Sequence, residues 1–202
     1  PAAASAENPE PAAPTKSSEP CPPVPRPVVA PERHPFVGLS AFIGSGTLPQ
    51  VAPGVSADLG ARFGSFRAAL VGSYWFPSTA RRASDAPISI ELSLVTAGLR
   101  ACGTLAAGGW SLLGCAQGNV GRMSGAGQHV DDARSQSALY SDVQALVFAQ
   151  YAKWQPAPQA GLGLSWAVAR PPFGLSRQNV PVETFRPASV AILAYWGLVL
   201  GP

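Results

Sequence analysis

Few side chains in this chain of 202 residues could do chemistry, because it holds only two histidines, three cysteines and about 12% charged residues. His129 stands near Asp131, Asp132, Ser135 and Ser137, the types from which a Ser/His/Asp group or a loose cation site is assembled. The same composition suits a charged, Gly-flanked loop that needs only solubility, and His34 stands alone beside a proline-rich stretch. No catalytic, cofactor-binding or metal-binding set is assigned, and the chain is expected not to be an enzyme.

Cysteine spacing says more. Cys102 and Cys115 lie symmetrically about Gly108-Gly109 and would face each other in a hairpin turning at that dipeptide. They are either a cross-strand disulfide, which an oxidising compartment permits, or two small buried cysteines. Cys21 is isolated and is expected to be a free thiol, an intermolecular bridge or the partner of a cysteine outside this sequence. A third group is Asp58, Arg62, Arg67, Glu91, Arg100 and Asp142, charges of both signs that fall on the less apolar faces of alternating segments. In a narrow interior they would neutralise one another as a plug, since buried charges are costly unless paired. A narrow ion path or gate is the alternative.

These groups need a scaffold, and composition bounds it. Charge is well below the roughly 25% usual in soluble domains, so something other than water faces much of the surface. No run approaches the roughly 18 apolar residues of a membrane helix; Val143 to Ala149 is broken off by Gln144, Gln150 and Lys153. The net charge of +3 is dispersed, without the basic cluster that nucleic acid requires. Residues 1–34 hold ten of the 22 prolines and almost no large apolar side chain, so they read as a disordered linker. They open at Pro1 without a charged and then apolar leader, and a leader or longer N-terminal part is expected upstream.

From residue 35 to 202 eight segments alternate with period two: Pro35 to Ser45, Gly54 to Gly64, Phe66 to Phe76, Ile88 to Gly103, Trp110 to Arg122, Tyr140 to Trp154, Gln159 to Arg170 and Ser189 to Leu200. In the second, Val55, Ala57, Leu59, Ala61 and Phe63 alternate with Ser56, Asp58, Gly60 and Arg62. In the fourth, Ile88, Ile90, Leu92 and Leu94 share one face before Val95, Ala97 and Leu99 take over, which predicts a bulge near Leu94. Connections alternate between short (Gly64-Ser65, Thr104 to Gly109, Gln155 to Ala157) and long (Pro77 to Pro87, Met123 to Ser137, Pro171 to Ala188). Tyr74, Trp75, Phe76, Trp110, Tyr151, Trp154 and Trp166 fall mostly near segment ends, as interfacial girdles do. The pattern predicts an all-β fold, an eight-stranded antiparallel up-and-down transmembrane β-barrel preceded by a disordered Pro-rich segment.

By strand number, loop asymmetry and local stretches such as Cys102 to Gly121, this region resembles the small eight-stranded outer-membrane barrels of the OmpA-transmembrane and OmpX type. It departs from them at the end, Leu198-Val199-Leu200-Gly201-Pro202, which lacks their usual terminal aromatic. The resemblance implies a monomer in the outer membrane of a Gram-negative bacterium, with both termini periplasmic and a structural or surface-interaction role. Outer-membrane lipid is the expected partner, with a periplasmic or cell-wall partner reached through the linker, and no cofactor or nucleic acid. Two other readings stay open. A soluble lipocalin-like barrel binding an apolar ligand would need the Val/Leu/Ile faces to point inward, and a small lipid-modifying enzyme would depend on His129.

Overall fold

Period-two alternation gives each strand one apolar and one mixed face, and a sheet of such strands can hide its unpaired edges by closing on itself. That is the arrangement in the computed structural model, which describes residues 33–81, 89–128, 135–177 and 180–201. The strands are β1 (Arg33–Ser45), β2 (Ala52–Phe63), β3 (Phe66–Arg81), β4 (Ser89–Ala107), β5 (Trp110–Gln128), β6 (Ser135–Tyr151), β7 (Ala157–Ala169), β8 (Phe173–Arg177), β9 (Val180–Phe185) and β10 (Val190–Leu200). Eight of them form a closed antiparallel barrel in the order β1-β10-β7-β6-β5-β4-β3-β2, while β8 and β9 form a separate hairpin. The described residues contain no helix.

The linker expected at residues 1–34 lies outside the described residues as far as position 32. Its last two residues belong to the barrel instead: Arg33 and His34 pair with Phe63 and Arg62. Strands β3 to β6 run several residues further than the alternation indicated, into segments expected to be loops.

The pairing register sets the geometry. Following partners around the barrel from Ala52 leads through Gly44, Leu193, Gly163, Leu146, Cys115, Cys102 and Arg67 to Arg62. The path returns to β2 ten residues from its start. A stagger of that size over eight strands tilts them by about 40° from the axis. The interior is then just wide enough for side chains to fill. Inward glycines admit the largest of these. A Cβ at Gly54 would collide with the Phe42 ring, and one at Gly161 with Phe148.

Turns are short at one end, termed here the turn end. Gly64-Ser65 joins β2 to β3, and Gly108-Gly109 joins β4 to β5 with φ of 60° and 94°, the left-handed pair that suits a twisted two-residue hairpin. The opposite, loop end carries residues 46–51 and the segment that holds β8 and β9.

The bulge predicted near Leu94 is absent from β4, whose pairing with β5 runs unbroken from Ser89 to Ala107. The extra residue belongs to β3, where Phe76 and Pro77 together oppose Ser93. Pro77 has no N–H to give the ladder, so the irregularity falls there. Because β4 keeps its phase, Ile90, Leu92 and Leu94 face inward, and Val95 and Leu99 outward.

The outward face is a continuous apolar belt that includes Leu39, Leu59, Leu70, Leu99, Val120, Val147, Leu162 and Ile192, all exposed. Phe66 and Phe76, ten residues apart on β3, bracket it. At the strand tilt they are about 25 Å apart along the axis, the height of the hydrocarbon band of such barrels. Trp110, Tyr151 and Trp154 stack in series at the turn end, with centroids 5.0 and 5.6 Å apart, and Tyr74 meets Phe76 edge-on at the other. Trp75 departs from the expected girdle, since it points inward and packs on Phe42 at 4.7 Å. The lipocalin-like reading fails on the apolar belt, because the Val/Leu/Ile faces around the middle of the barrel point outward and Asp58, Arg100 and Asp142 point inward. Leu99, 68% exposed at mid-belt, supplies the test. Leu99→Arg should lower the unfolding free energy in lipid vesicles by about 2–4 kcal/mol, read from urea titration; a neutral result would mean that this face meets water.

Candidate functional site

Inward-facing positions build a lumen of two kinds. At its centre, side chains two residues apart on the same strands form one hydrogen-bonded chain. Arg100 Nη1 donates to Asp58 Oδ2 at 2.7 Å, an ion pair in which both residues are 6% exposed. Arg100 Nε donates to Gln117 Oε1 at 2.6 Å, Gln117 Nε2 to Asn119 Oδ1 at 2.7 Å, and Asn119 Nδ2 to Asp142 Oδ1 at 2.9 Å. Asp142 Oδ2 accepts from Gln144 Nε2 at 2.7 Å and from Ser165 Oγ at 2.5 Å. Tyr195 OH closes the chain on Gln144 Oε1 at 3.3 Å.

Nearer the turn end, Arg67 Nη1 donates to Gln150 Oε1 at 2.7 Å, and Gln159 Nε2 donates to Ser40 Oγ at 3.1 Å. Arg67 and Arg100 also lie over the rings of Phe36 and Phe148, at 5.8 and 5.2 Å. Each ring gives a buried guanidinium a favourable quadrupole in place of water. Cys102 and Cys115 are direct register partners joined by a disulfide, with Cα atoms 4.1 Å apart, and both face the lumen.

Of the six charges read as a lumenal set, the structure brings Asp58, Arg67, Arg100 and Asp142 into the interior. Asp142 is held by neutral donors rather than by an arginine, as a carboxylate can be when several N–H and O–H groups converge on it. Arg62 sits at the turn-end rim, half-buried, with Nε donating to Gly64 O at 3.0 Å. Glu91 is a correction. Unbroken phase puts it on the outward side of β4, half-buried between Ile90 and Leu92, which point in. Gln117, Asn119, Gln144 and Ser165 share the inward parity of Arg100 or Asp142, which the alternation of their segments already indicates, but only the structure links them to those charges.

Toward the loop end the lumen turns apolar. Phe42, Trp75, Leu92, Leu94, Met123 and Leu193 meet there, each 5% exposed or less. Leu48 folds in from the β1–β2 loop, which Ala188 N ties down through Gly46 O at 2.8 Å. Phe173 at the start of β8 enters against Gly125 and is 1% exposed. Together these side chains cap the mouth.

Above the cap the wall is incomplete. Among the described residues, β3 has no partner on its β2 side beyond Trp75, and β6 none on its β7 side before Ser141. Gln50 Nε2 reaches Thr79 O there at 3.4 Å. Strands β3 to β6 therefore stand beyond the barrel as a four-stranded wall. His129, Asp131 and Asp132 lie outside the described residues, and Ser137 Oγ accepts from Arg122 Nη2 at 2.7 Å. No His/Cys/Asp/Glu group among the described residues has a metal-binding arrangement.

A closed eight-stranded antiparallel barrel, apolar outside and filled within, defines the class of this protein. The fold is that of the small outer-membrane barrels. It matches a major outer membrane protein from Thermus thermophilus at 12% identity, over 82% of this chain and 99% of that one, with a TM-score of 0.54. Neisserial surface protein A (12% identity, 83% and 96% coverage, TM-score 0.49) and Ail, the attachment invasion locus protein of Yersinia pestis (10%, 86% and 98%, 0.42), are also similar. No family model matches the sequence, and no curated protein matches it.

Two outcomes check the lumen. Arg100→Met should cost about 3–5 kcal/mol by stranding the Asp58 carboxylate, and Asp58→Leu added to it should recover much of the loss, by urea unfolding in micelles. Replacing both Cys102 and Cys115 by Ser should cost about 3 kcal/mol in the same assay, the loop-closure term for a separation of 13 residues. An unchanged midpoint would show that the hairpin is held without the bond.

Proposed function

We propose that this chain is a non-enzymatic barrel of a Gram-negative outer membrane, with a sealed lumen and a structural or surface-interaction role. The observation that carries the reading is the exterior: an apolar belt about 25 Å tall between aromatic rings, on a closed barrel in which each of the eight strands pairs with a neighbour on both sides. Lipid demands both properties at once.

The short turns support a periplasmic turn end, which would put Arg33 and Gly201 on that side. The wall formed by β3 to β6 would then stand outside the cell. Its two outer strand edges, which pair with no strand among the described residues, offer backbone N–H and C=O groups to an extended partner segment, the usual basis of recognition by strand addition. A filled centre and an apolar cap support a lumen that does not conduct.

The full chain, refolded with and without detergent micelles, provides the test. A β-rich species that shifts in gel mobility on boiling, forms only with micelles and gives no steady conductance in a planar bilayer is expected. Folding to a monomer in plain buffer would overturn the membrane reading, and a stable conductance would overturn the sealed lumen.

A further inference from the structure

Between the central ion pair and the turn end, Asp58, Arg67 and Arg100 line a cavity of about 20 Å³, walled by Phe36, Phe148 and Val199. All three charged residues are 6–7% exposed. Each spends part of its hydrogen-bonding capacity on protein and keeps one polar atom without a protein partner: Asp58 Oδ1, Arg67 Nε and Arg100 Nη2. Leaving such atoms bare in a low-dielectric interior costs at least about 1–3 kcal/mol each, more for charged groups.

The pattern of these atoms selects their companion. Two are donors and one is a carboxylate oxygen, the complement of a molecule that accepts twice and donates at least once. A halide or small oxyanion would satisfy both guanidinium N–H groups and lie against the Asp58 carboxylate. A cation would meet two arginines. Water alone answers all three, and a cavity of this size admits it.

We propose that an ordered water occupies this cavity and bridges Arg67 Nε, Arg100 Nη2 and Asp58 Oδ1. The bridge makes Arg67 a second counter-ion of Asp58, although its direct protein partner is the neutral amide of Gln150. Both guanidinium groups are then tied to one carboxylate, and the Asp58–Arg100 pair becomes a triad. Thr104 Oγ1 and Ser56 Oγ, also without protein partners, lie on the same inward faces below and above it.

Crystals of the full chain grown from detergent in chloride, and again in bromide, would decide the matter. The expected result is a round density feature about 2.7–3.2 Å from all three atoms in both salts, with no anomalous signal in bromide. A bromide anomalous peak at that position would make it an anion site and overturn the water. So would direct contact between Arg67 and Asp58, or no density there. In micelles, the Arg67 side-chain Hε should give a nuclear Overhauser cross-peak to water of the sign of a long-lived contact; its absence from an assigned spectrum would count equally against the bridge.

Discussion

Closure of the backbone ladder between β1 and β10 governs everything else in this molecule. Nine consecutive register pairs from Val37–Leu200 to Ser45–Ile192 join the first barrel strand to the last. Without them two edges would face hydrocarbon, where every unpaired N–H and C=O costs several kcal/mol. With eight strands and a ten-residue stagger, closure also settles the tilt and the bore, so the interior has room for side chains and little else.

That bore is filled in two ways. In the turn-side half and centre, Asp58, Arg67, Arg100 and Asp142 are buried as two charges of each sign, each held by at least one amide, hydroxyl or counter-ion. On the loop side, apolar side chains from five barrel strands and two loop segments meet instead. Polar filling needs donors and acceptors matched atom by atom, while apolar filling needs only volume. The loop segments that cover the mouth, contributing Leu48 and Phe173, accordingly do so with hydrophobic side chains.

Much of this was legible in the sequence because lipid and lumen impose opposite demands on alternate residues. Strand number, most facings, the Gly64-Ser65 turn and the opposition of Cys102 to Cys115 follow from parity and turn chemistry alone. Two features did not. Ile90, Leu92 and Leu94 look like lipid-facing residues, and only their continuous phase with Thr96 and Arg100 shows that they turn inward; hydrophobicity cannot tell a lipid neighbour from an apolar cap. Glu91 was drawn into the lumen by the same misreading. The inward parity of Gln117, Asn119 and Gln144 was legible, but not that these amides carry most of the connections around Asp142, since alternation gives facing and not partners. The β8–β9 hairpin lies in a stretch whose Pro and Arg content reads as loop.

The disulfide bears on the order of events as the chain folds. Cys102 and Cys115 sit on neighbouring strands joined by a two-residue turn, so they can meet as soon as that hairpin exists, long before β1 finds β10. A one-residue slip between β4 and β5 would present the lumenal face of one strand to lipid. A covalent bond made early removes that misfolded alternative from the search, and it does so in the pair of strands at the middle of the barrel sequence, from which the remaining hairpins can add outward on either side.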